Sequence, residues 1–209
     1  KISGKSCKLV AVSKTKPVSL LEEAYHEGIR VFGENKVQEL CTKFESLPKD
    51  IEWHMIGHLQ TNKVKYIASF VSLIHGVDSL KLLKEVNKQG KKVNRKIPIL
   101  LQFHIAEETT KFGLDIKELD EIIAFFQEGN LPNIVIKGMM GMATFTEDKT
   151  KIKREFDSLK MIFDDVKQKA IFGESFTVLS MGMSGDYPIA INSGSNMIRV
   201  GSAIFGERG

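Results

Sequence analysis

Lys14 ends the run Leu-Val-Ala-Val-Ser-Lys, and its spacing from Val10 and Val12 makes it a candidate for chemistry. Side chains alternate along a strand, so Val10, Val12, Lys14 and Lys16 share one face. If the two valines face a packed interior, an amine follows them into it. An ammonium is costly there unless it is neutral, paired or covalently bound. Burial and a second ammonium nearby both favour the uncharged amine, which is the form that attacks an aldehyde. The commoner fate of a strand-end lysine is simply to reach solvent, and what counts against that here lies far along the chain. Ser180-Met181-Gly182-Met183-Ser184-Gly185 and Arg199-Val200-Gly201-Ser202 each follow an apolar run. Small residues let backbone N–H groups approach an anion, and Ser184 and Ser202 add hydroxyls. Residues 186–192 have the makings of a short helix beside that cradle. An amine next to a phosphate cradle suits an aldehyde-bearing phosphate ester. Pyridoxal phosphate fits, as does a sugar phosphate in a Schiff-base aldolase, and spacing does not choose between them.

Such a constellation needs strands whose ends converge. Eight apolar runs rich in β-branched residues fall at 9–14, 29–33, 52–57, 71–76, 97–105, 134–140, 176–182 and 197–201. Helical stripes lie between many of them. Leu20, Leu21 and Ala24 form one, and Val37, Leu40, Cys41 and Phe44 the next. Leu80, Leu83, Val86 and Asn87 follow, then Leu119, Ile122, Ile123 and Phe126, then Phe156, Leu159, Ile162, Phe163 and Val166. Ser79 and Asp115 are placed to cap two helices, and Gly28, Gly90 and Gly129 to stop three. The alternation means parallel pairing through βαβ units, and eight strands close a (β/α)8 TIM barrel. An open, doubly wound sheet would carry a glycine loop after its first strand, where Ser13-Lys14-Thr15-Lys16-Pro17 has none. The expectation is a single α/β barrel domain over residues 1–209, with no helix after the last strand. Its site belongs at the C-terminal strand ends, where the loops after strands seven and eight most often hold phosphate.

Other signals exclude more than they propose. A formal charge of +4 is too mild to argue for nucleic acid, and the basic stretch 81–96 lacks interleaved aromatics and reads as a solvated helix and loop. No apolar run is long enough to cross a bilayer, and no charged-then-apolar leader opens the chain. Lys1 in place of Met leaves room for a preceding segment. Cys7 and Cys41 are isolated and lack zinc spacing, which fits a reducing cytoplasm. His54, His75 and His104 near the ends of strands three to five, with His58 four after His54, raise a metal-dependent hydrolase. Met55 stands where HExxH needs Glu, and no acid joins on those strands, so no metal is expected. Met139, Met140, Met142, Met181 and Met183 read as core fillers and pocket walls. Asn35, at the second strand's end, could contact a ligand or cap the next helix, and capping is the common job.

Several motifs together resemble one family. They are Ala11-Val12-Ser13-Lys14-Thr15-Lys16-Pro17, Phe32-Gly33-Glu34-Asn35, Trp53-His54-Met55-Ile56-Gly57-His58-Leu59-Gln60-Thr61-Asn62-Lys63 and His75-Gly76-Val77-Asp78-Ser79. Leu179-Ser180-Met181-Gly182-Met183-Ser184 and the stretch from Ile198 through Gly201-Ser202 to Arg208 complete the set. In this order, over essentially the whole chain, they resemble the pyridoxal phosphate homeostasis protein family. The resemblance implies a fold like the N-terminal barrel of alanine racemase and related decarboxylases. It implies pyridoxal 5′-phosphate held as a Schiff base on Lys14, its phosphate at Ser184, Gly201 and Ser202, Arg199 facing the pyridine nitrogen and Asn35 lining the ring pocket. It also implies a role in vitamin B6 homeostasis; the expected partners are the cofactor and the apoenzymes that use it, and the expected state is a monomer.

Two departures from the family pattern stand out. Lys36 occupies the place of a usual Tyr and adds a charge at the pocket rim, and Ser202 replaces a frequent Thr but keeps the hydroxyl. The alternative function is an amino-acid racemase with Lys14 as one base. Two points weigh against it. A guanidinium at the pyridine nitrogen donates a hydrogen bond but is too weak an acid to protonate the ring, which leaves a poorer electron sink. A racemase resembling this barrel also takes its opposing base from a further domain, which is not expected here.

Overall fold

The computed structural model describes residues 6–106 and 112–206. Eight strands alternate with helices: β1 (Lys8–Val12), α1 (Val18–His26), β2 (Val31–Glu34), α2 (Val37–Ser46), β3 (Glu52–Met55), α3 (Val64–Ile67), β4 (Leu73–Val77) and α4 (Leu80–Lys92). β5 (Ile97–Phe103), α5 (Ile116–Gln127), β6 (Ile134–Gly141), α6 (Lys149–Gln168), β7 (Val178–Ser180), α7 (Tyr187–Asn192), β8 (Met197–Val200) and α8 (Ser202–Phe205) complete the order. All pairings are parallel and sequential, and β8 closes on β1 through the register Lys8↔Met197 to Ala11↔Val200. This is the (β/α)8 barrel that the alternation predicts.

Period-two alternation sorts the side chains into two cores. Val10, Val31, Leu73, Leu100, Met140 and Met197 form one buried cluster. Six strands contribute to it and no helix does, so it fills the barrel interior. Ala11, Phe32, Trp53, Ile74, Ile99 and Leu179 belong to the larger cluster shared with the helices and therefore face outward. Val10 is thus an interior residue, and alternation carries Val12 to the same side, with Lys14 in the turn that follows the strand.

The helices are amphipathic as the stripes predict. In α4, Leu82, Leu83 and Val86 are buried while Lys81, Lys84, Lys88, Lys91 and Lys92 are exposed, so the basic stretch is a solvated face. Ser79 Oγ accepts the Leu82 N–H at 3.3 Å, and Asp115 and Glu118 form a reciprocal capping box. Gly28 and Gly129 follow α1 and α5 in the left-handed region.

Three expectations change. Gly90 lies inside α4 instead of ending it. A Cβ there would meet the carbonyl oxygens of Arg95 and Asn133, each at 2.9 Å, so its small size serves close packing, and the chain turns at Asn94 (φ 51°). The last strand is followed by a helix, the single turn α8. Between β3 and β4 a 3₁₀ turn (Thr61–Lys63) runs into α3, a pair too short to leave a periodic stripe. Among the described residues no helix is long and apolar enough to cross a membrane.

Candidate functional site

β1 and β8 lie side by side, and their ends set the first part of the site. One step beyond Ala11↔Val200, Val12 comes opposite Gly201. A Cβ on Gly201 would lie 3.1 Å from the Val12 carbonyl oxygen and 3.2 Å from its Cβ, so a residue without one is what lets the β8 loop close on β1. Ser184, in the β7 loop, accepts the Gly201 N–H on its Oγ at 3.2 Å. Ser184 and Gly201 therefore meet beside the end of β1; Lys14, two residues beyond Val12, is half-buried, and Ser202, next after Gly201, is exposed. α7 begins directly after the β7 loop, as residues 186–192 suggest, and the Asp186 carboxylate accepts the Met183 N–H at 2.5 Å.

Below that rim a polar chain crosses the barrel interior. Arg199, fully buried and opposite Val10, donates from Nη1 to the Ser180 carbonyl (2.9 Å) and to Ser180 Oγ (2.6 Å), and from Nη2 to the Gly141 carbonyl (3.2 Å). Ser180 Oγ lies 3.3 Å from His75 Nδ1, and His75 Nε2 lies 3.0 Å from His54 Nδ1. Arginine cannot accept, which gives the chain a direction. Ser180 accepts from Arg199, and in the tautomer that uses its hydroxyl hydrogen within the chain it donates to His75 Nδ1. His75 then carries its proton on Nε2 and donates to His54 Nδ1. Burial holds both rings neutral, pushing His54 to about 3 and His75 well below 6.5. Burial also lowers Arg199 to about 10, where it stays charged at neutral pH. Three of its five N–H donors are used in these bonds, and two remain.

Asn35 lies just beyond the end of β2. The N-cap of α2 is Lys36, and no side chain caps that helix. Asn35 is therefore not doing the capping job usual for its type. Its Oδ1 is buried and has no hydrogen-bond partner among the described residues. Gly57, after β3, presses on it: a Cβ there would fall 2.5 Å from the Asn35 carbonyl oxygen and 2.8 Å from its Cα. Gly57→Ala is expected to push Asn35 aside and to cost ~1–3 kcal/mol in stability. Urea unfolding, with ligand binding measured beside it, checks both effects. A cavity of about 590 Å³ is lined by Asn35 and Lys36 with Gln60, Lys63 and Tyr66, and by none of Lys14, Ser184, Arg199, Gly201 and Ser202.

The histidines separate by role. His54 and His75 bond each other inside the barrel, whereas His58 pairs with Asp78 (3.0 Å) and stacks on Phe112 at 4.2 Å between ring centroids. His104 is exposed beyond β5. Among the described residues no group of three His, Cys, Asp or Glu is arranged to hold a metal. Sequence reasoning missed the interior link from Ser180 to His75 and His54. The available signal was that His54 and His75 keep the interior phase of their strands.

The alanine racemase N-terminal domain family matches residues 1–209. A protein of Aquifex aeolicus named pyridoxal phosphate homeostasis protein is 38% identical over 98% of this chain and 89% of its own length. The chain belongs to the pyridoxal phosphate homeostasis protein family. A member from Escherichia coli is 36% identical over 96% of the chain and 85% of its own. PipY of Synechococcus elongatus, solved with pyridoxal phosphate bound, is 33% identical with a TM-score of 0.86, covering 98% of this chain and 95% of that one. Alanine racemase of Bartonella henselae shares the fold at 18% identity and a TM-score of 0.72, over 97% of this chain and 58% of its own.

Proposed function

We propose that this protein holds pyridoxal 5′-phosphate through a Schiff base on Lys14 and serves vitamin B6 homeostasis as a cofactor carrier. The observation that carries the reading is the meeting of two strand ends at the rim. β8 closes tightly on β1, which brings Gly201, with Ser184 bonded to its N–H, beside the strand whose extension carries Lys14. Family membership and the cofactor in PipY support the same ligand.

The residues present fit that ligand. Asn35 Oδ1, buried without a partner among the described residues, has room for a donor. Arg199 has two N–H groups left to offer a ring nitrogen, and the small residues at 201 and 202 leave backbone N–H groups accessible to phosphate oxygens. When bound, the cofactor supplies an aldehyde that an amine captures with loss of water. Lys14 would be that amine, Ser184, Gly201 and Ser202 would hold the phosphate, and Asn35 would line the ring. Arg199 donates and does not protonate a pyridine, so the site favours holding the cofactor over carbanion chemistry. The apoenzymes that use the cofactor are the proposed recipients, from a cytoplasmic monomer.

The test is reduction with borohydride in the presence of pyridoxal phosphate. Wild type is expected to be yellow, to lose that colour on reduction and to carry the label at Lys14. Lys14→Ala should carry no such adduct, and equal labelling of that variant would sink the assignment. Turnover of L-alanine well above that of free pyridoxal phosphate would overturn the carrier role.

A further inference from the structure

On the outer side of the barrel, directly behind Lys14, lies a buried charged cluster that the proposed site does not use. Lys43, on α2, is 4% exposed and Glu34, at the end of β2, is fully buried. The three protons of the Lys43 ammonium have three acceptors: the Ser13 carbonyl at 2.8 Å, Glu34 Oε1 at 2.8 Å and Glu39 Oε1 at 2.7 Å. Glu34 Oε1 also accepts the Ser13 hydroxyl at 2.6 Å, and Glu39 Oε1 the Thr15 N–H at 2.7 Å. The cluster thus holds the residue before Lys14 and the residue after it.

The backbone between those two anchors is unusual. Lys16 N–H donates to the Ser13 carbonyl at 3.1 Å, closing a four-residue turn with Lys14 at its second position and Thr15 at its third. Thr15 sits at φ 65°, a conformation that turns of this kind normally reserve for Gly or Asn. A β-branched residue persists there only where its surroundings over-determine it. Glu39 and Lys43 supply that constraint, gripping the turn on the side opposite the barrel interior.

We propose that Glu39 and Lys43, anchored by Glu34, are positioning residues for Lys14, holding the turn 13–16 so that the amine is presented to the barrel mouth. This rests on Lys14 as the capturing amine. Ser13 and Thr15 are both held on the α2 side, so the turn between them sets the direction of the intervening side chain. The cluster touches the phosphate loops nowhere among its recorded bonds, so its effect falls on aldehyde capture and spares the rest of the site.

Glu39, partly exposed, is the residue to change, because water can replace it at Thr15 without loss of the fold. Two probes are compared: pyridoxal 5′-phosphate, read as borohydride-fixed adduct at Lys14, and 4′-deoxypyridoxine 5′-phosphate, which lacks the aldehyde, read by calorimetry. Glu39→Leu is expected to capture pyridoxal phosphate at least ~10-fold more slowly, since displacement by about 1 Å costs up to ~10²-fold in an oriented reaction. Its affinity for the deoxy analogue should stay within about twofold of wild type, and Glu39→Gln, which keeps an acceptor oxygen, should restore most of the capture rate. Undiminished capture in Glu39→Leu overturns the proposal. So does a parallel loss of both ligands, which would mean that the cluster merely supports the fold. Failure of wild type to label Lys14 while binding the analogue would overturn the Schiff-base reading itself, and this inference with it.

Discussion

Below pH 6.5 the protein is expected to lose stability, by up to about 3 kcal/mol per pH unit once the unfolded histidines are fully protonated, with both interior histidines contributing. His54 and His75 are buried on the inner face of the barrel, with His54 held to about 3 and His75 well below its ordinary 6.5. A depressed folded-state value means that the native protein keeps both rings neutral while the unfolded chain takes up a proton at each. The contribution is whole above 6.5 and drains away as the pH falls toward about 3 for His54. A proton also has no good place to go. His75 Nδ1 faces the Ser180 hydroxyl, whose oxygen already accepts from Arg199 at 2.6 Å, so with the hydroxyl hydrogen directed at the ring no acceptor is left for a second proton there. Protonated His75 would therefore confront a donor and lie near the Arg199 charge. Urea unfolding stepped from neutral pH to about 5 measures the slope. His54→Gln, which can still accept from His75, should roughly halve it. An unchanged slope in that variant would mean that these rings are not the source. Cofactor retention should weaken over the same window, since disturbing Ser180 disturbs the guanidinium proposed to face the ring.

Sequence periodicity resolves the barrel but not its inner wiring, and the difference is physical. Alternation along each strand is local, so eight runs with helices between them are legible, and the bounds of 97–105 and 134–140 come within two residues of β5 and β6. The 176–182 run overshoots because β7 stops at Ser180, two residues before Gly182 turns the chain at φ 94°. Gly90 misleads because a glycine chosen for close approach looks the same in sequence as one that ends a helix. Ser184, Gly201 and Ser202 can be nominated from sequence because barrels place function at strand ends. The chain from Arg199 to His54 is not, since His75 and Ser180 are 105 positions apart and meet only when strands on different sides of the barrel close around a common centre. Lys43 is harder still. Paired with Glu39 four residues earlier it reads as an exposed helix pair, and only the approach of the β1 end buries it.

Lys43→Met is expected to destabilise the protein by about 3–5 kcal/mol at neutral pH, because removing one partner of a buried ion pair leaves the other uncompensated. For a domain of this size that lowers Tm by on the order of 10 °C. The stranded group is Glu34. Burial already pushes its carboxyl above the ordinary 4.5, although Lys43 and the Ser13 hydroxyl both oppose the rise. Without Lys43 the larger opposing influence is gone, and Glu34 takes up a proton more readily. Its Oε2 is buried with no partner among the described residues, so a proton can settle there without breaking the bond that Oε1 accepts from Ser13. A raised folded-state value stabilises the native form below the unfolded value and is lost as the pH rises through the folded one. The deficit of Lys43→Met relative to wild type should therefore be smallest near about pH 4.5 and grow toward neutrality, opposite in sign to the histidine slope. Glu34→Gln/Lys43→Met removes both charges and should recover most of the loss. If the single variant were equally destabilised at every pH, or the double variant no better than the single, the cost would lie in packing around the Met side chain and not in an unpaired carboxylate.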